Sequence, residues 1–273
     1  MGINLADGFV TPFCAPPKPL AVVLLSGGMD SLTAAGIAAR DGYGLALIHF
    51  NYGQRTEEAE LRSFNRIADF FGVGPKLKLV VHTNFFSLAG GSALTDKGLD
   101  VPEANLDSAN VPVTYVPFRN AVLLSMAVGW AEIIGAGAVY YGAVSQDSSG
   151  YPDCRPEFIS AFNVLVETGT KPETKIEVRA PLVNMTKAEI VQQAAALGLP
   201  LEATWSCYVR NDKACGACDS CALRLRGFSQ ASMNDPIPYA PQAAGKPAMD
   251  KAERAEKVRR LALLLKALAK PST

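Results

Sequence analysis

Five short apolar runs divide the first two thirds of the chain, and stretches with helical periodicity alternate with them. The apolar runs cover residues 20–25, 44–50, 76–82, 137–143 and 176–180. The helical patterns cover about 30–41, 55–71, 119–134, 157–168 and 186–198. Short runs rich in branched aliphatic residues are typical of strands that are buried on both faces of a parallel sheet. The alternation therefore predicts an α/β fold with a doubly wound, five-stranded parallel sheet.

The loops that leave the predicted strands at their carboxyl ends are the expected location of a ligand site. In an open parallel sheet, ligands bind beyond these ends, near the point where the order of the strands reverses. Three loops begin at the carboxyl ends of predicted strands, after Leu25, Phe50 and Ala143, and each carries glycine or polar residues. We therefore expect functional residues to gather around these three loops.

Outside the alternating region the sequence changes in character. Residues 84–118 form a long stretch with little periodicity, which in a compact domain is usually an active-site lid or disorder. Residues 249–270 carry an amphipathic helical pattern, which suits docking onto the domain or a neighbouring subunit, with a partner-binding or membrane-surface role as the alternative. The predicted organisation is an N-terminal arm at 1–19, a core domain at 20–205, a four-cysteine segment at 206–228, and a proline-rich linker with a terminal helix at 229–273.

Composition and charge describe an ordinary globular protein and weaken two classes of function. Apolar residues make up 49% of the chain and charged residues 19%. The 26 basic residues balance the 26 acidic ones, so a broad basic surface for a large RNA is not expected. The apolar stretches are too short to span a bilayer, and the N-terminus lacks the layout of a secretory signal. The cytoplasm is therefore the expected compartment.

The loop after the first apolar run, Ser26 to Ser31, has the sequence SGGMDS. Its two glycines allow a tight turn and a close approach of the backbone to a ligand. Asp30 and Ser31 favour the start of a helix, whose first-turn N–H groups bind anions. The loop lacks the lysine of the GxxxxGK[ST] phosphate loop. It resembles instead the pyrophosphate loop (PP-loop) of ATP pyrophosphatases, which cleave ATP between the α and β phosphates and adenylate a substrate. The alternative is a plain serine–glycine turn.

Four cysteines form a cluster along the sequence, at Cys207, Cys215, Cys218 and Cys221. Four thiolates without a nearby histidine are typical of a closed, structural zinc site. Gly216 allows the tight turn between the second and third of them. An iron–sulfur cluster also takes four cysteines, and a redox CxxC pair needs only two. Zinc is the interpretation that the pattern favours.

The remaining cysteines and histidines carry weaker signals. Cys154 lies in a loop rich in functional residue types, but a lone cysteine is more often a small apolar residue than a nucleophile, and we assign it no role. His49 and His82 lie in strand patterns and are interpreted as packing residues. They give no basis for a serine–histidine–aspartate hydrolase.

Further motifs follow the SGGMDS loop in a fixed order. They are FNYGQR at 50–55, SALT at 92–95, TYVPFRN at 114–120, GYPDCRPEF at 150–158, PLVNMTK at 181–187 and TWSCY at 204–208. Together with the cysteine cluster, they resemble the 7-cyano-7-deazaguanine synthase family of the queuosine pathway over about residues 20–228. The combination is far more specific than the phosphate loop alone.

The resemblance implies a fold and a reaction. The fold would be a Rossmann-like PP-loop ATPase with a C-terminal zinc-binding loop. The enzyme, a ligase, would convert 7-carboxy-7-deazaguanine and ammonia into the nitrile by adenylating first the carboxylate and then the amide, releasing AMP and pyrophosphate. ATP, Mg²⁺ and Zn²⁺ would be its cofactors, and the family suggests a homodimer without nucleic-acid or membrane partners.

The resemblance also implies site residues. Those that would hold ATP are Leu25, Ser26, Gly27, Gly28, Met29, Asp30, Ser31, Leu32, Thr33, Ala34 and Ala35. Those with catalytic roles would be Asp30, Ser31, Arg119 and Lys187. Those that would bind substrate are Tyr52, Gln54, Arg119, Asn120, Tyr151, Asp153 and Arg155. Lys187 would meet phosphate as a point charge, Arg119 would grip a carboxylate or the α phosphate, and Asp153 would accept from the guanine-like N–H edge. A solvated lysine, an ordinary ion pair and a plain turn residue are the respective alternatives.

The sequence departs from the family pattern at Phe118, where glycine is common, and at Ser148-Ser149, where Tyr-Ser is frequent. Two further hypotheses therefore stay open. One is a related PP-loop enzyme, which modifies tRNA, is a glutamine-dependent purine amidotransferase, or attaches a deazaguanine to a larger target. The other is a nucleotide-binding interaction module without catalysis.

Overall fold

A parallel sheet with helices on both faces forms the core of the computed structural model, which describes residues 18–106, 110–145 and 151–241. Its strands are β1 (Leu20–Leu24), β2 (Gly44–Asn51), β3 (Lys78–His82), β4 (Ala138–Tyr141) and β5 (Glu177–Arg179). Its helices are α1 (Met29–Arg40), α2 (Glu57–Phe70), α3 (Phe85–Ala89), α4 (Arg119–Ile134), α5 (Pro156–Gly169), α6 (Lys187–Ala196) and α7 (Asp219–Gln230). The five predicted strands and the five helices predicted before residue 200 are confirmed.

The sheet has the strand order β3-β2-β1-β4-β5, and all neighbouring strands are parallel. The order reverses at β1, since β2 and β3 lie on one side of it and β4 and β5 on the other. Alternate residues of each strand serve opposite faces: Val23 packs with α1, α2 and α6, whereas its neighbour Val22 packs with α4 and α5. The predicted doubly wound α/β fold is therefore confirmed, and it leaves a crevice at the carboxyl ends of β1 and β4.

Two helices were not predicted from the sequence. Helix α3 is a single short turn within the predicted 84–118 loop. Helix α7 begins inside the cysteine segment and packs against α6, so the predicted boundary at residue 228 falls within a helix. The chain then folds back, and Ala214 pairs with Tyr239 in an isolated bridge.

The segment after α3 is fastened to the domain by one side chain. Arg55 donates to the carbonyl oxygens of Ala93 at 2.7 Å and Asp96 at 2.9 Å, and also to that of Leu99. Three backbone acceptors on one guanidinium hold this irregular stretch in place over the end of β2. Within the three described ranges, no helix is long and apolar enough to cross a bilayer. The predicted N-terminal arm up to residue 17, the terminal helix, and Ser148-Ser149 lie outside the described residues.

Candidate active site

A cavity of about 280 Å³ opens at the carboxyl ends of β1, β2 and β4, where the strand order reverses. Its wall brings together most of the site residues predicted from the sequence, namely Leu25, Ser26, Gly28, Met29, Asp30, Ser31, Tyr52, Gln54, Arg119, Asn120, Tyr151 and Lys187. These residues come from five separate motifs. The fold therefore places them at the crevice expected for an open parallel sheet.

The other predicted site residues lie elsewhere in the described chain. Four of them, Leu32, Thr33, Ala34 and Ala35, are buried within α1 behind the cavity wall, and Thr33 Oγ1 donates to the Met29 carbonyl. Arg155 is exposed at the start of α5. Gly27 and Asp153 are buried directly behind wall residues. Direct contact of Leu32–Ala35 or Arg155 with a ligand in this cavity is therefore not supported.

The SGGMDS loop is shaped by Gly27. Its φ is +91°, a backbone conformation that L side chains rarely adopt, and a Cβ there would lie 2.6 Å from the Glu60 carbonyl oxygen. Gly28 then precedes α1, and Ser31 Oγ donates to its carbonyl at 2.9 Å. The first-turn N–H groups of α1 have no acceptor within the helix and face the crevice end, as an anion site requires.

Lys187 reaches this loop from the other half of the chain. Its Nζ lies 2.6 Å from Asp30 Oδ2. Helix α6 begins at Lys187 and is capped by Thr186 and Glu189 in a reciprocal capping box. Helix α7 packs closely against Lys187 at Gly227, where an added Cβ would lie 2.7 Å from Lys187 Cβ. Among the described residues Asp30 Oδ1 is buried without a hydrogen-bond partner.

Arg119 lies against Tyr52 in the cavity wall. Its Nη1 donates to the Tyr52 hydroxyl at 2.9 Å, and its guanidinium carbon lies 5.6 Å from the ring centroid. Burial raises the pKa of Tyr52 to about 12, so its hydroxyl stays protonated. Gln54 is committed to the protein itself: its Oε1 accepts from Tyr52 N at 2.8 Å and its Nε2 donates to Phe50 O at 3.1 Å.

A polar group lies around Asp153, directly behind the cavity-wall residues Asn120 and Cys154. One carboxylate oxygen, Oδ2, accepts from the backbone N–H of Asn120 at 3.0 Å. The other, Oδ1, is buried without a partner in the described structure, as is the hydroxyl of Tyr141. Burial raises the pKa of the Asp153 carboxyl. It also raises the pKa of the neighbouring Cys154 thiol to about 11, which leaves that thiol protonated and unreactive at neutral pH.

The two histidines differ in their surroundings. His49 is buried, and its ring nitrogens lie 2.9 Å from the Leu25 carbonyl oxygen and 3.0 Å from Asn51 Oδ1, so its interpretation as a packing residue is confirmed. Burial lowers its pKa. His82 has a side chain that is 69% exposed, and the same interpretation is wrong for it. His82 is the last residue of the edge strand β3, and its ring lies at the surface, with Nδ1 4.0 Å from Glu57 Oε1.

Other residues of the cavity wall were not among the predicted site residues, and they include Glu60, Tyr141, Trp205 and Arg224. Arg224 is 2% exposed and donates to both carboxylate oxygens of Asp235, at 2.7 and 2.9 Å. Trp205 has an indole N–H that finds no acceptor in the described ranges, and its backbone N–H donates to Gly27 O at 2.8 Å. TWSCY was the only motif that pointed to Trp205; the other three residues carry no local pattern that separates them from helix or strand positions.

The four clustered cysteines converge beside the cavity. The sulfur atoms of Cys207, Cys215, Cys218 and Cys221 all lie within 4.8 Å of one another, and the Cys215 and Cys221 sulfurs are 3.8 Å apart. Tetrahedral zinc with bonds of about 2.3 Å sets its sulfur ligands about 3.8 Å apart, so the cluster fits a metal ion of this kind. Backbone N–H groups of the knuckle donate to the Cys207 and Cys215 sulfurs, and Gly216 makes the predicted turn at φ +75°.

Residues 20–232 match the sequence model of the family described as Queuosine biosynthesis protein QueC. The chain belongs to the QueC family. The stretch that carries the match holds all five strands, the cavity and the cysteine cluster. The resemblance stated from the motifs is thereby confirmed.

Named QueC-family relatives match the chain over nearly their whole length. The 7-cyano-7-deazaguanine synthase of Chlorobium phaeobacteroides is 53% identical over 219 residues, which cover 80% of this chain and 96% of the relative. That of Koribacter versatilis is 54% identical over 229 residues, which cover 82% and 95%. Among solved structures, a 4-thiouridine synthetase in complex with RNA and bound ATP is 20% identical, covers 91% of this chain and 53% of that chain, and has a TM-score of 0.42.

Proposed function

We propose that the protein forms 7-cyano-7-deazaguanine from 7-carboxy-7-deazaguanine, ammonia and ATP, releasing AMP and pyrophosphate. Two relatives that are 53% and 54% identical to this chain, over 219 residues that cover 80% of it, are named for the synthesis of this product. One observation carries the proposal at the level of the site: a single cavity is lined by the SGGMDS loop and Lys187 as well as by Arg119, Asn120 and Tyr141. A nucleotide and a small heterocycle would meet between them.

The loop end of the cavity suits the phosphates of ATP. The N–H groups at the start of α1 would hold the pyrophosphate, and Lys187 would meet it as a point charge. Asp30 holds the lysine in place through one oxygen. Its second oxygen, buried without a partner in the part of the chain described, is the type of ligand that Mg²⁺ takes. Bound with ATP, that ion would neutralise phosphate charge.

The opposite end suits a flat, hydrogen-bonding heterocycle with a carboxylate. The Tyr141 hydroxyl lies in the cavity wall without a partner in the described structure and would bind the N–H edge of a deazaguanine. The unpartnered Asp153 Oδ1 lies directly behind this wall and would accept a second hydrogen bond once the substrate displaces the side chains in front of it. Arg119 has five N–H donors, of which one goes to Tyr52, so its guanidinium can grip the substrate carboxylate or the α phosphate. Tyr151 lines the cavity and would offer a stacking surface, and Tyr115 packs against it with ring centroids 5.3 Å apart.

In the proposed reaction the protein contributes mainly by positioning the reactants and stabilising charge. A carboxylate is a poor electrophile until adenylation turns its oxygen into a leaving group. Arg119 and Lys187 would stabilise the charge that develops on the phosphates during that transfer. Ammonia then displaces AMP to give the amide, and a second adenylation of the amide oxygen allows AMP to leave as the nitrile forms. Holding both reactants in one cavity supplies much of the rate.

The cysteine cluster would hold zinc as a structural ion. All four thiolates are needed to complete a tetrahedron, so no coordination position remains for substrate. The ion would tie residues 207–221 against the cavity wall that includes Trp205 and Arg224. Ammonia as the nitrogen donor, a homodimeric assembly and a cytoplasmic location belong to the same proposal.

The decisive experiment supplies 7-carboxy-7-deazaguanine, ammonium and Mg-ATP to the purified protein and follows AMP release and product mass. Nitrile formation that depends on the acid supports the proposal. AMP release only in the presence of tRNA would favour the tRNA-modifying alternative, and an absence of AMP release under all conditions would favour a non-catalytic binding module.

A further inference from the structure

Glu60 is an acidic side chain of the cavity wall that the proposed phosphate and heterocycle contacts leave unused. It lies in the first turn of α2 and lines the cavity together with Arg119 and Tyr52. Its backbone oxygen is the atom that a Cβ on Gly27 would approach to 2.6 Å. The backbone of Glu60 therefore lies against the SGGMDS loop, and its side chain shares the cavity wall with the Arg119–Tyr52 pair.

The carboxylate of Glu60 is oriented by neutral donors. Thr56 Oγ1 donates to its Oε1 at 2.8 Å, and Gln54 Nε2 donates to its Oε2 at 3.2 Å. Gln54 is itself held by the backbone of Phe50 and Tyr52, so the carboxylate has a fixed direction. Burial raises the pKa of Glu60 to about 7, and these two hydrogen bonds oppose the rise only in part.

The nitrogen donor of the proposed reaction requires a base. In neutral water ammonia is present mainly as ammonium, which has no lone pair and cannot attack a carbon atom. A general base works best when its pKa lies near the operating pH. The two other acidic side chains near the cavity are less suited to this role, because Asp30 pairs with the Lys187 cation and Asp153 is buried behind the cavity wall.

We propose that Glu60 binds the ammonium ion in the cavity and takes one of its protons, which releases ammonia beside the adenylated carboxyl group. This inference rests on the proposed function. The lone pair of ammonia forms the C–N bond as the C–O bond to AMP breaks, and the bonding electrons leave with AMP. Glu60 releases its proton to water, and the nitrogen then loses a second proton to water to give the neutral amide.

The test compares Glu60→Gln with Glu58→Gln, which changes a side chain that is 82% exposed on the same helix. Two reactions are measured in each variant: pyrophosphate exchange driven by the acid, which needs no nitrogen donor, and amide formation from ammonium between pH 6 and 9. We expect Glu60→Gln to keep exchange within about twofold, and to lose about 10²- to 10⁴-fold in kcat/KM for ammonium, the range of general-base catalysis. Glu58→Gln should match the wild type in both.

A second nucleophile separates a base from a structural role. Hydroxylamine is largely unprotonated at neutral pH and needs no base, so Glu60→Gln should form the hydroxamate at nearly the wild-type rate. Equal losses with both nucleophiles, or an unchanged reaction with ammonium, would overturn the inference while leaving the proposed function intact. A wild-type protein that forms no amide or nitrile from ammonium would overturn the proposed function, and this inference with it.

Discussion

Lys187 and Asp30 are separated by 157 positions in the chain, yet Lys187 Nζ lies 2.6 Å from Asp30 Oδ2. The contact joins the first residue of α6 to the first turn of α1, which follows β1 at the point where the strand order reverses. It brings a cation to the N-terminal end of α1, where a phosphate group would otherwise face helix N–H groups alone. The pair thus joins the two parts of the proposed ATP site, the SGGMDS loop before α1 and Lys187 at the start of α6.

Replacing Lys187 should weaken the handling of phosphates. We expect Lys187→Met to lower kcat for AMP formation by about 10²- to 10³-fold, comparable to the loss of one preorganised charge-stabilising donor. Lys76→Met removes an exposed lysine outside the cavity and serves as the matched control. Both variants are compared by AMP release at saturating ATP, and equal activity of the two would remove Lys187 from the mechanism.

Gly27 should tolerate no side chain. Gly27→Ala forces an alanine into a φ of +91°, which is strained for L side chains. It also adds a Cβ that would lie 2.6 Å from the Glu60 carbonyl oxygen. We expect a loss of about 2–4 kcal/mol in the free energy of unfolding, together with loss of ATP binding in calorimetry.

Gly42→Ala separates the two causes, since Gly42 has a φ of +94° and no atom within 4 Å of its Cβ position. This control should lose only about 1–2 kcal/mol, the cost of a left-handed conformation, and should keep ATP binding. Equal losses in urea unfolding would show that the contact with Glu60 adds nothing.

Glu60 makes stability depend on pH. Its pKa is raised from 4.5 to about 7 in the folded protein, so the folded state favours the protonated carboxyl. Stability from this group is fully present below about pH 4.5 and is lost as the pH rises to about 7. The difference in unfolding free energy between wild type and Glu60→Gln should therefore shift against the wild type by about 1–3 kcal/mol between pH 5 and 8. A difference that stays constant with pH would contradict the raised pKa.

Metal analysis checks the cysteine cluster. We expect about one zinc per chain, and a loss of metal in Cys218→Ser. Cys154→Ser provides the control, because this thiol lies outside the cluster and should leave the metal content unchanged. Removal of zinc by a chelator should lower Tm, since metal binding and folding are coupled. Bound iron with visible absorbance would replace the zinc assignment by an iron–sulfur cluster.

Phe118 should be replaceable by the residue that the family pattern favours. It precedes α4 with a φ of +57°, in the left-handed region, and is 64% exposed. Phe118→Gly removes that strain, and we expect about 0.5–1 kcal/mol of added stability. Phe118→Ala keeps the conformation without the ring, so chemical unfolding of the two variants separates backbone strain from exposed apolar area.

The sequence alone was sufficient for the five strands and for five of the seven helices in the described part of the chain. Strands such as Leu20–Leu24 and helices such as Lys187–Ala196 repeat their apolar positions with a local period, and that period survives folding because one face of each element must be buried. Helix α7 was missed because its short pattern overlaps the cysteine spacing. The SGGMDS loop and the four cysteines were also found from sequence, since glycine turns and metal ligands depend on neighbours a few residues apart.

Only the tertiary structure decided which side chains meet in the cavity. The Arg119–Tyr52 bond, the ring of donors around Glu60 and the buried oxygen of Asp153 depend on elements that are distant in the chain. Burial, and with it the pKa of a carboxyl group, is a property of the packed surroundings and leaves no trace in local spacing. The sequence determined the strands, the helices and the loop chemistry, whereas packing decided which of their polar atoms share one cavity and which are left without a partner.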